Sequence, residues 1–142
     1  MKHPITVLKF GGTSVTDIKA MQRCVDIIAS DANRKLVVLS APSGITNLLV
    51  ALTETGADKM VRIDELDALL DKRFGALNVD VQDLLSMLKA QAGFLDFATN
   101  KQAADAVLSL GEQFSTRYFM ALLEANNISA TPVSATQLIK TN

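Results

Sequence analysis

Two short apolar runs and one stretch with helical spacing occupy the first 40 residues. Residues 5–8 and 36–39 are apolar almost throughout, which predicts a strand in each. Between them Asp17 can cap a helix, and the apolar residues of that helix follow the helical period: Ile18, Met21, Val25 and Ile28. Continuous apolar strands are typical of parallel sheets covered on both faces, so the pattern predicts a strand, helix, strand unit with a right-handed connection.

The rest of the chain is predicted to be mainly helical. Apolar residues recur at helical spacing in five segments, about 46–55, 63–74, 81–98, 101–110 and 113–125. Gly111 separates the last two, and because glycine costs about 1 kcal/mol inside a helix relative to alanine, it predicts either a break or a close contact. Residues 130–133 are predicted to form a further strand despite Pro132. These elements predict an α/β fold of three layers, with helices on both faces of a mainly parallel sheet.

Size and charge narrow the classes of function. A chain of 142 residues, 49% of them hydrophobic, is enough for one domain with a core. Its formal charge of −1 argues against nucleic acid or an anionic membrane surface as a partner. No apolar stretch approaches the roughly 20 residues that cross a bilayer, and the N-terminus lacks the apolar core of a signal peptide. With Cys24 as the single cysteine, no internal disulfide can form, and we expect a cytoplasmic location and no catalytic role for this thiol.

The segment K-F-G-G-T-S-V at residues 9–15 directly follows the first predicted strand. Ligands of open α/β sheets bind beyond the carboxyl ends of the strands, where Lys9 would offer a cation to a phosphate. Gly11 and Gly12 would let the backbone approach phosphate oxygens, and Thr13 and Ser14 would add hydroxyl donors. An ordinary Gly-Gly turn is the alternative, with Ser14 as a helix cap. The lysine precedes the glycines, so the segment is neither a Walker A loop nor a dinucleotide fingerprint.

Three further polar residues are candidates for contact with a substrate. Ser40 ends the second predicted strand, where a hydroxyl is expected to hydrogen-bond a neighbour or a ligand. Thr46 stands near a helix N-terminus, where it could donate to a carboxylate or simply cap the helix. Glu112 follows Gly111 at a position with expected partial burial; it could bind an ammonium group, pair with Arg117, or lie on a solvated helix face.

Three motifs in this order resemble those of aspartate kinases, a branch of the amino-acid kinase family. They are K-F-G-G-T-S-V, then V-V-L-S-A running into G-I-T-N-L-L at residues 37–49, then S-L-G-E followed by Ser-Thr at residues 109–116. The resemblance implies an amino-acid kinase-like fold that uses ATP and Mg²⁺. It also implies transfer of the γ-phosphoryl group to the side-chain carboxylate of L-aspartate, giving 4-phospho-L-aspartate, the first step of lysine, threonine and methionine biosynthesis.

The resemblance also assigns roles to individual residues. It implies that Lys9 binds and stabilises the transferring phosphate, and that Ser40, Thr46 and Glu112 contact the amino-acid substrate. It implies neither a protein nucleophile nor a protein ligand for a metal ion.

The chain departs from the pattern of these kinases in two ways. Pro42 and Ser43 stand where relatives often carry small residues such as Ser-Ala, which would stiffen that loop. The downstream G-R-G-G-S-D-like segment and the regulatory ACT domains are absent. We therefore expect residues 1–142 to be the N-terminal part of an aspartate kinase catalytic domain, truncated and inactive by itself. Unpaired strand edges and exposed apolar faces would favour a homodimer or higher homo-oligomer.

Two alternatives remain at this stage. Another member of the same fold, acting on glutamate, acetylglutamate, carbamate or a nucleoside monophosphate, would share the turn at residues 9–14 that is predicted to bind phosphate, called the phosphate turn below. A non-catalytic phosphate-binding or assembly module would keep that turn without turnover.

Overall fold

The predicted strand, helix, strand unit is present. A computed structural model describes residues 5–31, 33, 35–52, 58–94 and 101–133. Strands β1 (Thr6–Phe10) and β2 (Lys35–Leu39) pair in parallel, with Thr6 opposite Lys35 and Phe10 opposite Leu39. Helix α1 (Ile18–Ala29) connects them, after a 3₁₀ turn at Gly12–Val15. The parallel pairing is confirmed, although β1 runs two residues further than the apolar run indicated.

Helix α1 begins where the sequence predicts. The Asp17 carboxylate accepts a hydrogen bond of 2.8 Å from the backbone N–H of Ala20, which satisfies a free amide of the first turn. The apolar stripe of α1 faces the core, and Met21 and Val25 are almost fully buried. Cys24 is buried on the same face and donates from Sγ to the Ser14 carbonyl, and burial raises the pKa of its thiol.

The two faces of the sheet differ in burial. Phe10 is buried, and Leu8, Val37 and Leu39 pack against the hydrophobic core. Side chains alternate along a strand, so the intervening residues lie on the opposite face. There Val7 is 62% exposed and Val38 40% exposed. Among the described residues, the helices bury one face of β1 and β2, and the other face is exposed.

Four more helices follow, and they pack chiefly on one another. They are α2 (Ile45–Leu52), α3 (Lys59–Phe74), α4 (Gln82–Phe94) and α5 (Lys101–Ala125). Helix α3 begins four residues earlier than predicted because the Asp58 carboxylate caps it, accepting from the Val61 N–H at 3.3 Å. The predicted ends of the second and fourth helices, residues 53–55 and 95–98, lie outside the described residues. None of the described helices is long and apolar enough to cross a membrane.

Helix α5 runs through Gly111 without interruption, so the predicted break is wrong and the predicted close contact is correct. A Cβ at Gly111 would lie 2.8 Å from Cβ of Ala41 and 3.1 Å from Cδ1 of Leu49. The glycine therefore lets α5 approach both the loop after β2 and helix α2. This packing offsets the intrinsic cost of glycine in a helix.

The predicted strand at residues 130–133 is also wrong. These residues are exposed and irregular, and they line a groove beside β2. Pro132 has no N–H to donate to a neighbouring strand and restricts the residue before it. These residues therefore form no strand pairing with β2.

Candidate active site

The segments that follow β1 and β2 form one continuous rim at the carboxyl edge of the sheet. The N–H of Ser40 donates to the carbonyl of Phe10 at 3.0 Å, and the N–H of Ser43 donates to the carbonyl of Gly12 at 3.0 Å. The turn after the first strand and the loop after the second are thereby held side by side. This is the edge at which open α/β sheets bind ligands.

Lys9 lies at this rim on the open face of the sheet. It pairs in register with Val38, two residues after Val7, and its side chain is exposed. Its ammonium group makes no ion pair with a carboxylate of the described residues. An exposed cation that is unpaired within the described part of the chain is available to an anionic ligand.

The two glycines of the turn have different surroundings. At Gly12 a Cβ would lie 2.9 Å from the carbonyl oxygen of Ala41, so this glycine is explained by the close approach of the two loops. At Gly11 a Cβ would meet no heavy atom within 4 Å, and the residue is exposed. Packing thus accounts for Gly12 alone, and Gly11 leaves open backbone beside Lys9.

Thr13 and Ser14 belong to the 3₁₀ turn that follows. Thr13 is exposed and Ser14 is half-buried, with its N–H donating to the Gly11 carbonyl at 3.0 Å. The cap of α1 is Asp17, so the alternative that Ser14 caps this helix is wrong. Both hydroxyls belong to the turn that carries the open glycine.

The loop after β2 ends in a sharp turn before α2. Gly44 has a φ of +85°, in the left-handed region that favours glycine, and the N–H of Ile45 donates to the carbonyl of Pro42 at 3.0 Å. Thr46 is the second residue of α2 and is exposed. Because Gly44 precedes the helix, the alternative that Thr46 is its N-cap is wrong, and its hydroxyl lies in the first turn of the helix.

A residue of helix α5 holds the backbone of Ser40 in place. It is half-buried, and its carbonyl accepts a hydrogen bond of 2.6 Å from Oγ of Ser115, which is fully buried. Sequence reasoning assigned no role to Ser115. The signal was present, because Ser115 is four residues after Gly111 and therefore on the same helix face, where small residues permit close approach.

Glu112 is exposed, so its predicted partial burial is wrong. Helix α5 is continuous, and when Gly111 faces the loop after β2 the next residue is rotated away from that contact. The predicted alternative of a pair with Arg117 is also wrong. Arg117 holds Asp83 of α4 with two hydrogen bonds, of 2.9 and 2.8 Å. These hydrogen bonds lower the pKa of Asp83 to about 2.

The rim therefore combines an exposed cation, an open glycine and two hydroxyl-bearing segments. Glu112 is an exposed carboxylate on α5, next to the Gly111 that packs against Ala41 of the rim. The cation, the open backbone and the hydroxyls suit a phosphate, and the carboxylate suits an ammonium group. In the described ranges, no group of three or more histidine, cysteine, aspartate or glutamate side chains is arranged to hold a metal ion. The chemistry that the rim supports is binding and alignment of charged ligands.

Comparison with known proteins gives consistent matches. The sequence model of the amino acid kinase family matches residues 4–142. Lysine-sensitive aspartokinase 3 of Escherichia coli (strain K12) is 41% identical over 147 residues, covering 97% of this chain and 32% of the relative.

Two crystal structures of the E. coli aspartokinase III resemble the fold. The structure with aspartate and ADP superimposes with a TM-score of 0.78 at 37% identity, over 90% of this chain and 30% of that one. The structure with lysine and aspartate gives 0.77 at 36% identity, over 88% of this chain and 30% of that one. The chain thus spans about a third of the length of these relatives.

Proposed function

The chain belongs to the amino acid kinase family, and from this premise we propose that it is the N-terminal part of the catalytic domain of an aspartate kinase. The reaction is transfer of the γ-phosphoryl group of ATP to L-aspartate. An oxygen of the side-chain carboxylate attacks the γ-phosphorus, the bond to the bridging oxygen breaks, and ADP leaves with those electrons. The products are 4-phospho-L-aspartate and ADP.

Phosphoryl transfer requires alignment and compensation of charge more than covalent work by the protein. Lys9 would supply the cation for the charge that develops on the transferring group. The backbone of Gly11 and Gly12 would bind the terminal phosphates, with Thr13 and Ser14 as hydroxyl donors. The open space at Gly11 and the exposed side chain of Lys9 support this assignment.

Aspartate would bind to the loop after β2 and to α5. The exposed carboxylate of Glu112 suits the α-ammonium group, and the first turn of α2 with Thr46 suits a carboxylate, because free amides and partial positive charge are found there. Ser40 would add a polar contact beside the phosphate turn. The hydrogen bond from Ser115 to the Ser40 carbonyl supports this by fixing the end of β2 against α5.

One observation carries the proposal: the loops after β1 and β2 are held side by side, and α5 packs against the second of them. Hydrogen bonds of 3.0 Å join Phe10 to Ser40 and Gly12 to Ser43, and Gly111, the neighbour of Glu112, packs against Ala41. An aspartokinase that superimposes on this chain binds aspartate and ADP in its crystal structure. That match supports ATP as the nucleotide substrate.

The described residues hold no group of three or more histidine, cysteine, aspartate or glutamate side chains that could bind Mg²⁺. The ion would be carried by the phosphates of ATP, and no step above depends on a protein ligand to it.

Catalysis would need sequence beyond these 142 residues, since the relatives are about three times as long. We place the enzyme in the cytoplasm, at the first step of lysine, threonine and methionine biosynthesis. The exposed apolar residues Val7 and Val38 support self-association of the isolated chain, which sedimentation at high concentration tests. A strictly monomeric chain would contradict that part of the proposal.

An aspartyl hydroxamate assay with ATP tests the function. It compares the 142-residue chain with an extended protein, in which these residues are joined to the C-terminal remainder of the E. coli relative. We expect hydroxamate with aspartate in the extended protein alone. Product with glutamate instead would overturn the assignment of aspartate as the substrate. An inactive extended protein that still binds ATP would favour a non-catalytic binding module.

A further inference from the structure

We propose that Arg73 is a positioning residue for the aspartate-binding loop, an inference that rests on the proposed function. Arg73 lies in the last turn of α3 and is half-buried. Its Nη1 donates a hydrogen bond to the backbone carbonyl of Ser43, 30 residues earlier in the chain. In the described ranges its guanidinium forms no ion pair with a carboxylate. The group is therefore directed at the backbone of the loop.

The guanidinium also packs against the next residue. A Cβ at Gly44 would lie 3.4 Å from Nη2 of Arg73, at a residue whose φ is +85°. Helix α2 begins immediately afterwards, at Ile45, which is fully buried. Arg73 thus contacts Ser43 and Gly44, whose backbone conformation sets the direction in which α2 starts. Thr46 is the second residue of that helix.

The charge of Arg73 has a second effect at this position. The start of a helix carries partial positive charge, so a cation beside it is unfavourable unless an anion binds there. A substrate carboxylate at the first turn of α2 would be that anion. The guanidinium would then both hold the loop and raise the local potential that attracts the carboxylate.

The phosphate turn has supports of its own. Ser43 donates its N–H to the Gly12 carbonyl at 3.0 Å, and Gly12 packs against the carbonyl of Ala41. Arg73 contacts neither of these groups directly, although it holds the carbonyl of the same Ser43, so only part of its effect reaches the phosphate turn. Loss of the guanidinium is therefore expected to disturb aspartate binding more than nucleotide binding.

Hydrogen exchange in the 142-residue chain tests the structural part. In Arg73→Met the Ile45 and Leu48 amides, which donate to Pro42 and Gly44, should exchange about fivefold faster or more, with amides of α4 unchanged. Arg62→Met, an exposed residue of the same helix, is the matched control and should change neither. Unchanged exchange in Arg73→Met would overturn the inference, whatever reaction the protein catalyses.

Kinetics of the extended protein test the role in substrate binding. Arg73→Met should raise the KM for aspartate about tenfold, with the KM for ATP and kcat within about twofold. Arg73→Lys, which keeps a charge and a donor, should recover part of the loss. A KM for aspartate that does not move, or an equal rise for both substrates, would contradict positioning of the aspartate loop. If the unsubstituted extended protein had no activity, the proposed function would be refuted, and the role of Arg73 in aspartate binding with it. The hydrogen-exchange experiment would still decide whether Arg73 holds the loop.

Discussion

Substitution of Gly111 by alanine should destabilise the chain, although alanine is the better helix former. Helix propensity alone would stabilise α5 by about 1 kcal/mol. The new Cβ would lie 2.8 Å from Cβ of Ala41 and 3.1 Å from Cδ1 of Leu49, whereas ordinary contacts begin at 3.4 Å. Overpacking of this kind costs about 1–3 kcal/mol. We therefore expect a net loss of about 1 kcal/mol, which is a fall in the urea midpoint of roughly 0.5 M.

Urea unfolding of five variants separates packing from propensity. Gln113 is exposed on the same helix, so the difference between Gln113→Gly and Gln113→Ala gives the propensity term alone, about 1 kcal/mol in favour of alanine. Adding Ala41→Gly to Gly111→Ala removes the Cβ that the new methyl group would meet. After the cost of Ala41→Gly alone is subtracted, most of the stability lost in Gly111→Ala should be recovered. If alanine were favoured at 111 as strongly as at 113, the close approach of α5 to the loop would be refuted.

Three further predictions concern single side chains. In the extended protein, Lys9→Ala should lower kcat by about 100-fold or more with an almost unchanged thermal midpoint, and a loss of activity that tracks unfolding would count against its role. The pKa of Asp83 is lowered to about 2, so the stability from its pair with Arg117 should be full above about pH 4 and vanish as pH falls to about 2. Asp83→Asn should abolish this pH dependence in thermal unfolding, and salt should weaken it. Asp17→Ala should cost about 1 kcal/mol in urea unfolding, with the exposed Arg23→Ala as a nearly neutral control.

Local patterns predicted the elements that depend on neighbouring residues. The apolar runs located both strands, and Asp17 located the start of α1, because a cap acts within one turn of a helix. At Gly111 the same reasoning left a break and a close contact open, and a contact with Ala41, 70 residues away in the chain, decides between them. It failed at residues 130–133 because a strand needs a partner that no local pattern reveals.

The candidate site divides in the same way. Lys9, Gly11 and Thr46 could be selected from their positions after predicted strands, because parallel strands bring such ends to one edge. The supports of that edge were harder to find. Ser115 had a local signal, its position four residues after Gly111, but its partner lies 75 residues away, and nothing local indicates that Arg73 acts across 30 residues. Glu112 was found by its motif, but its exposure depends on the rotation of a helix that was expected to be interrupted.

A single peptide segment at Ser43 joins the two halves of the rim, with its N–H on the phosphate turn and its carbonyl on α3. We therefore expect a weak coupling between the two substrates through this segment, in keeping with the small change expected in the KM for ATP when Arg73 is replaced. Thermodynamic linkage makes such an effect reciprocal. In the extended protein, the factor by which aspartate lowers the Kd for ADP should therefore equal the factor by which ADP lowers the Kd for aspartate.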